Sequence, residues 1–594
     1  MVGMLTRVGV QCALFVALWF VFLSHDSPYA RHKFRKYSHR HGPHGEASVQ
    51  VASTKDDFSW ETVVPSEALT WTDCYSGNQC ARLKVPLDYS HPDAAFATIA
   101  MRRIQSTVSH DSPDYRGPIL LNPGGPGGSG VDFIASWGSP ISTIVGPEFD
   151  LIGFDPRGIG RSTPRVSFYK SRVERELWAG SGDSAKVLSM NASADTLARS
   201  WARAIVDGTL AGERDDGSLR FINTDHTARD MLRIVKAHGR EKLQYWGFSY
   251  GSVLGATFAS MFPDNVGRLV IDGVVDSENY FAVEWSNNLL DTDKTWMQFI
   301  NGCVAAGPMG CALFAPTAAE ILENVDRLET SLRARPIPVR TSISFGLVDY
   351  STLRRTIFKA LYSPYAQFPT LAQALADLSA GNATALFKMS ESPGFQCGCD
   401  PSEYRFESVG EAGSAVLCND GKRIPQDYEG VLAHYQKLSK TSSFADLWEP
   451  VRMSCLAWPD FPKTHFQGPF VANTSFPVLL IGNTADPVTP LWAAKKMSQG
   501  FAGSVVLTQD SPGHCSLSGP SICTQKHVRQ YFLDGILPPP DTVCPVIASP
   551  FPAEDFKTGM DQQAVLALSA ADRSLSEAVR ELSMSFDIRF PAGL

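Results

Sequence analysis

Gly247-Phe248-Ser249-Tyr250-Gly251 constrains this chain more than any other stretch. A strand-like apolar run, Lys242 to Phe248, leads into it, and a helix-like run, Gly251 to Met261, leads out. A serine on so sharp a strand-to-helix turn is strained and needs small neighbours; glycines two residues before and two after supply that room. The helix starting beneath the turn favours developing negative charge at its N-terminal end. This pattern makes Ser249 the expected nucleophile, placed at one edge of a sheet.

Around the turn the chain alternates. Ala97 to Ile104, Pro118 to Asn122, Phe149 to Asp155 and Arg268 to Val275 read as strands. Thr224 to His238 reads as an amphipathic helix, with Met231, Leu232 and Val235 at helical spacing. The rhythm predicts an α/β fold: a mostly parallel sheet with helices on both faces. It stops near Asp276 and resumes at Pro477 to Gly482 and Ser504 to Thr508. The stretch between is mainly helix-like and reads as a lid inserted between successive strands. A chain of 594 residues exceeds one ordinary core, which fits such an insertion. The expected organisation is a signal peptide or signal anchor over 1–24 and a polar, basic linker over 25–58. The first part of the core then covers 59–276, the lid 277–475 and the second part of the core 476–552. A partly helical tail covers 553–594.

A serine is a poor nucleophile until a base, itself oriented by a carboxylate, takes its proton. Asp486 follows the strand-like PVLLIG, at the end where catalytic groups of such sheets gather. His514, in Ser-Pro-Gly-His-Cys, lies beyond the last strand-like run. The chain order serine, acid, histidine is that of the serine elbow. Asp460 and Asp510 do not directly follow such a strand, and His226 and His238 precede the serine, so these fit worse. Two backbone N–H groups are needed for an oxyanion. Tyr250, after the serine, supplies one, and Gly125, in Asn122-Pro-Gly-Gly-Pro-Gly-Gly-Ser-Gly130, is expected to supply the other. These glycines lack the Gly-Lys-Ser/Thr of a phosphate loop. Asp155-Pro-Arg-Gly-Ile-Gly-Arg-Ser162 reads as a scaffold for the pocket. No metal or organic cofactor is implied. Cys397-Gly-Cys399 has no second pair at zinc-like spacing, and disulfide bonding is expected there.

Net charge is −8, so no broad basic field exists to hold nucleic acid. Val8 to Leu23 is an uncharged apolar run, either a signal-peptide core or a short membrane anchor. The basic flank Arg31 to Arg40 favours the cytoplasm by the positive-inside tendency. Sequons at Asn191, Asn382 and Asn473 favour the opposite side. So do the cysteines. The close neighbours Cys74/Cys80, Cys303/Cys311 and Cys515/Cys523 read as disulfides closing small loops in an oxidising compartment. The expected location is the secretory pathway: secreted, or anchored with the folded region outside the cytosol. Eleven of the 12 cysteines follow the apolar run, so at least one is left over within the chain.

CARLKVPLDY (Cys80 to Tyr89), NPGGPGGSG, FDPRGIGRS, GFSYGSVLG, GNTADPVTP, SPGHC and Tyr531 to Pro538 occur in this order. The series resembles the tripeptidyl aminopeptidase-like branch of the prolyl aminopeptidase family of α/β-hydrolases, over about residues 70 to 552. The resemblance implies an α/β-hydrolase fold with Ser249, Asp486 and His514 as catalytic triad. It also implies release of short N-terminal peptides or single residues. Pro123 stands where prolyl aminopeptidases have histidine, a change found within the tripeptidyl branch. The stretch after Pro552 and the basic linker have no counterpart in the family. A peptide's free amine requires a matching carboxylate. Glu278, Asp276 and Asp420, at the start of the lid or within it, are the candidates. The same machinery suits an esterase, lactonase or thioesterase, and a binding protein that keeps the fold without catalysis is the remaining alternative.

Overall fold

In a computed structural model the described residues are 58–75, 77–181, 187–188, 194–391, 410–551 and 569–586. The strands are β1 (Thr72–Cys74), β2 (Asn78–Pro86), β3 (Phe96–Ile104), β4 (Gly117–Asn122), β5 (Phe149–Phe154), β6 (Leu243–Phe248) and β7 (Val266–Asp272). They continue with β8 (Ile337–Arg340), β9 (Phe345–Val348), β10 (Leu479–Ala485), β11 (Val505–Pro512) and β12 (Val543–Pro545). Ten form one sheet in the order β1-β2-β3-β5-β4-β6-β7-β10-β11-β12. From β5 to β12 neighbours are parallel; β1, β2 and β3 add an antiparallel margin.

β4 and β5 are buried at every position, because side chains on both faces are covered. Alternate residues feed two cores. Leu121, Trp246, Val270 and Ile481 pack on the side of the helices Gly130–Val145, Ile522–Asp534 and Ala570–Ser585. Leu120, Tyr245, Leu269 and Leu480 pack on the side of the helices Thr224–Ala237 and Tyr250–Met261. Phe586, closing the last described helix, touches the rings of Phe133 and Phe248, so this part of the tail supports the strand that carries Ser249.

The chain turns one way from β4, to β5, and the other way from β6, to β7. This switch opens a crevice at the strands' C-terminal ends. Ser249 and the Asn122–Gly130 loop both lie there.

Between β7 and β10 the chain is mostly helical, from Ser277–Phe281 to Ala445–Met453. A two-stranded ribbon, β8 with β9, interrupts it; strands of four residues are too short to show a period in sequence. Two earlier helices, Arg172–Gly180 and Ala194–Glu213, join this layer from the other direction. Arg175 pairs with Glu411 at 2.9 Å, and Trp201 Nε1 donates to the Gln426 carbonyl.

Disulfides join Cys74 to Cys80, Cys303 to Cys311, Cys418 to Cys455 and Cys523 to Cys544. The expected Cys515/Cys523 bridge is thereby corrected. Cys523 lies on the helix Ile522–Asp534 facing β12, whereas Cys515 is a buried free thiol whose Sγ lies 3.5 Å from the Asp272 carbonyl. Nearness in sequence misled here, because Cys523 meets Cys544 on the neighbouring strand β12, 21 residues further on. Cys12, Cys397, Cys399, Asn191 and the apolar run lie outside the described residues. Asn382 and Asn473 are exposed. Among the described residues, no helix is long and apolar enough to cross a membrane.

Candidate active site

β6 ends and the helix Tyr250–Met261 begins with Ser249 as the joint, at φ 56° and ψ −119°. A positive φ on a residue other than glycine costs about 1–3 kcal/mol and persists only where surroundings enforce it. Here the Ser249 N–H donates to the Asp272 carbonyl at 2.9 Å, and its carbonyl accepts from the Ser252 N–H at 2.8 Å. The Asn122–Gly130 loop presses against the same joint. A Cβ on Gly124, whose φ is +95°, would sit 2.8 Å from Ser249 Cβ and collide with the Phe248 carbonyl. The Gly124 N–H is engaged by Asn122 Oδ1 at 2.9 Å; Gly125, next along the loop, also has positive φ. Asp155 fixes the far end of the loop, accepting from Ser129 Oγ and from the N–H groups of Val131 and Arg161. Arg157 forms a buried ion pair with Asp230 at 2.6 Å. The 155–162 segment thus has a scaffold's bonding.

Asp486 and His514 extend from β10 and β11 and are wholly buried. His514 Nδ1 lies 3.0 Å from each Asp486 oxygen. The carboxylate also accepts from the N–H groups of Val488, Thr489 and Cys515 at 3.0, 2.8 and 2.9 Å. Cys515 Sγ lies 3.7 Å from His514 Nε2 and reaches the Ser249 backbone N–H, so serine and histidine meet the same sulfur. Burial pushes this thiol well above its ordinary range, with the Asp272 and Asp486 charges adding to the effect.

Four supports of His514 were missed from sequence. Thr489 Oγ1 lies 3.1 Å from Nδ1. Asn483 Nδ2 donates to the carbonyls of Gly513 and Cys515, both at 2.8 Å. Asp272 accepts from the Ser516 N–H at 2.7 Å and from its hydroxyl at 2.5 Å. The Tyr362 carbonyl accepts the His514 N–H, and its ring lies edge-on 4.9 Å away. Asp272 ends β7 and Asn483 lies two residues before the end of the neighbouring β10, which is the one signal that could have found them.

From Tyr250 to His514 runs an unbroken line of aromatic contacts. Tyr250 meets Tyr280, then Trp285, Trp448, Phe358 and Tyr362, with centroids between 5.3 and 6.2 Å apart. The indole N–H groups of Trp285 and Trp448 are buried and have no hydrogen-bond partner among the described residues. Glu449 Oε1 also accepts no hydrogen bond and lies 4.0 Å from Arg452 Nη1, while Glu449 Oε2 lies 2.6 Å from His434 Nδ1.

The three expected amine partners have other company. Asp276 pairs with Lys496 at 2.6 Å and accepts from Asn287 Nδ2. Glu278 is exposed and pairs with the same lysine at 2.8 Å. Asp420 is sealed behind Tyr250, accepting from the Thr224 N–H and hydroxyl and from the Tyr280 hydroxyl. Among the described residues, two groups of side chains have metal-ligand spacing. One is Asp486, His514 and Cys515; the other is Cys523, His527 and Cys544, of which two cysteines are already disulfide-bonded.

Residues 117–308 match a family model described as alpha/beta hydrolase fold, and residues 441–544 match one described as TAP-like protein. The first match contains Gly125, Ser249 and Tyr250; the second contains Asp486 and His514. The chain has the α/β-hydrolase fold and is similar to TAP-like proteins over its C-terminal part. Tripeptidyl aminopeptidase of Streptomyces lividans is 29% identical over 511 residues, 82% of this chain and 88% of that one. Serine protease Hip1 of Mycobacterium tuberculosis is 28% identical over 506 residues, 80% and 91% of the two chains. Carboxylesterase B of the same species is 28% identical over 476 residues, 78% and 86%. With these relatives, the α/β-hydrolase is a serine hydrolase.

Proposed function

We propose that this hydrolase cleaves peptide bonds near a free N-terminus, in the secretory pathway, through an acyl-enzyme on Ser249. His514 takes the hydroxyl proton as Ser249 Oγ attacks the scissile carbonyl, then gives it to the leaving amine. Asp486 holds the imidazole in one tautomer and stabilises the imidazolium. The N–H groups of Gly125 and Tyr250 receive the oxyanion. A water, deprotonated in the same way, releases the acid product. The contact of His514 Nδ1 with both Asp486 oxygens at 3.0 Å, beside a serine held at positive φ, carries this reading.

Peptide as substrate is supported by the wall from Tyr280 to Tyr362, which suits apolar side chains. The Trp285 and Trp448 N–H groups are donors for backbone carbonyls. A buried ammonium needs a carboxylate with a free oxygen. Asp276 and Glu278 are engaged by Lys496 and Asp420 by hydroxyls, so Glu449, whose Oε1 accepts no hydrogen bond and meets only Arg452 at 4.0 Å, is the better amine partner. The four disulfides among the described residues support an oxidising compartment.

The test is a panel of free-amine tripeptidyl, aminoacyl, N-acetylated and p-nitrophenyl ester substrates. Cleavage of free-amine peptides, sharply reduced by acetylation, is the expected result. Glu449→Gln should raise KM for free-amine substrates alone. Turnover confined to esters, indifferent to the amine, sinks the peptidase reading. It would favour the second reading, an esterase, which rests on the similarity to carboxylesterase B.

A further inference from the structure

The β8–β9 ribbon has an apolar outer face. Its register pairs Arg340 with Phe345, Val339 with Gly346, Pro338 with Leu347 and Ile337 with Val348. Cross-strand partners share a face, and successive pairs alternate. The inner face holds Val339 and Val348, both buried, and Gly346, where a Cβ would press on the Phe387 ring. The ribbon is therefore rooted on the helix Thr384–Ser390. The outer face presents Phe345 at 85% exposure and Leu347 at 61%, and the connecting turn adds Ile343 at 90%. A ribbon with one covered face needs polar residues on the other; large apolar side chains there mark an interaction surface.

Charge says what kind. Residues 333–348 contain Arg333, Arg335 and Arg340 and no acidic residue, in a chain whose net charge is −8. Arg335 and Arg340 are exposed, and Lys388, on the supporting helix, is exposed as well. Apolar side chains at a tip flanked by cations suit the boundary between acyl chains and anionic headgroups. The apolar run Val8 to Leu23 would bring the same chain to a membrane.

We propose that the β8–β9 ribbon is a membrane-contact finger, with Ile343, Phe345 and Leu347 entering the interface of an anionic phospholipid bilayer and Arg335 and Arg340 meeting phosphates. Bound there, the lid would face the membrane surface.

The test uses the full chain with a polarity-sensitive fluorophore on Ile343→Cys, the wild-type chain labelled in parallel as blank. The ribbon's own emission should shift to the blue on phosphatidylglycerol–phosphatidylcholine vesicles and be quenched by brominated acyl chains. Arg335→Glu with Arg340→Glu should weaken the response at least about tenfold, since each cation near an anionic surface contributes appreciably to binding. Three results would overturn the proposal. The emission could stay unchanged while flotation shows the chain on the vesicles or away from them. It could be blue-shifted before lipid is added, meaning that another part of the chain covers the ribbon. Or it could follow protein concentration without lipid, meaning that a second copy does.

Discussion

His514 Nδ1 lies 3.0 Å from both oxygens of Asp486, across 28 residues of sequence. The same carboxylate accepts the backbone N–H of Cys515, so it orients the ring and anchors the loop that carries it. In Asp486→Asn an amide NH2 would face Nδ1 and favour the tautomer with its proton on Nε2, which cannot accept from serine. kcat should fall roughly a thousandfold or more with KM little changed. Steady-state kinetics on the best substrate of the panel checks this. A loss under about tenfold would assign the orienting role elsewhere.

Gly124→Ala should abolish activity from a distance of one loop. The new methyl would meet the Phe248 carbonyl and lie 2.8 Å from Ser249 Cβ, at a φ of +95° that alanine rarely adopts. The loop must retreat, and the Gly125 N–H with it. A drop in kcat/KM of at least about a hundredfold is expected, the size seen on losing an oxyanion donor. Circular dichroism should still report a folded chain.

Peptide mapping without reduction should recover Cys523 linked to Cys544. Cys515, wholly buried with its thiol pushed up, should resist alkylation in the native protein and react once it is unfolded. A Cys515–Cys523 peptide would contradict the arrangement of the histidine loop.

Burial pushes the Asp272 carboxyl up to about 6; hydrogen bonds from Ser516 and Trp246 oppose the rise, and the Asp486 charge adds to it. A carboxyl raised in the folded state gives stability that is fully present below its ordinary value of 3.8 and lost as pH rises through about 6. The shift corresponds to about 3 kcal/mol. Asp272→Asn cannot titrate. Its stability relative to wild type should therefore improve by about this amount between roughly pH 4 and pH 7, whatever its absolute level. Urea unfolding across that range measures the difference. Parallel curves for the two proteins would contradict it.

The parts of this site that were legible in sequence are those fixed by backbone geometry. Ser249 could be found because a strained turn demands glycines around it, and Asp486 and His514 because each follows an apolar strand. The supports were not legible. Thr489, Asn483 and Tyr362 are ordinary residue types whose role arises only when β7, β10 and the lid come together. Asp276 and Glu278 looked like unengaged acids because Lys496, about 220 residues away, is invisible to a local reading. The aromatic wall was hidden in the same way, since Tyr280, Trp285, Phe358, Tyr362 and Trp448 come from separate parts of the lid. The β8–β9 ribbon escaped because its strands are shorter than any window that shows alternation.

The most direct test of the account is to treat the folded protein with a fluorophosphonate and map the adduct by mass spectrometry. A single adduct on Ser249 is expected, lost in Ser249→Ala and strongly slowed in His514→Ala. No adduct in well-folded protein, or an adduct on another residue that persists in Ser249→Ala, would contradict it.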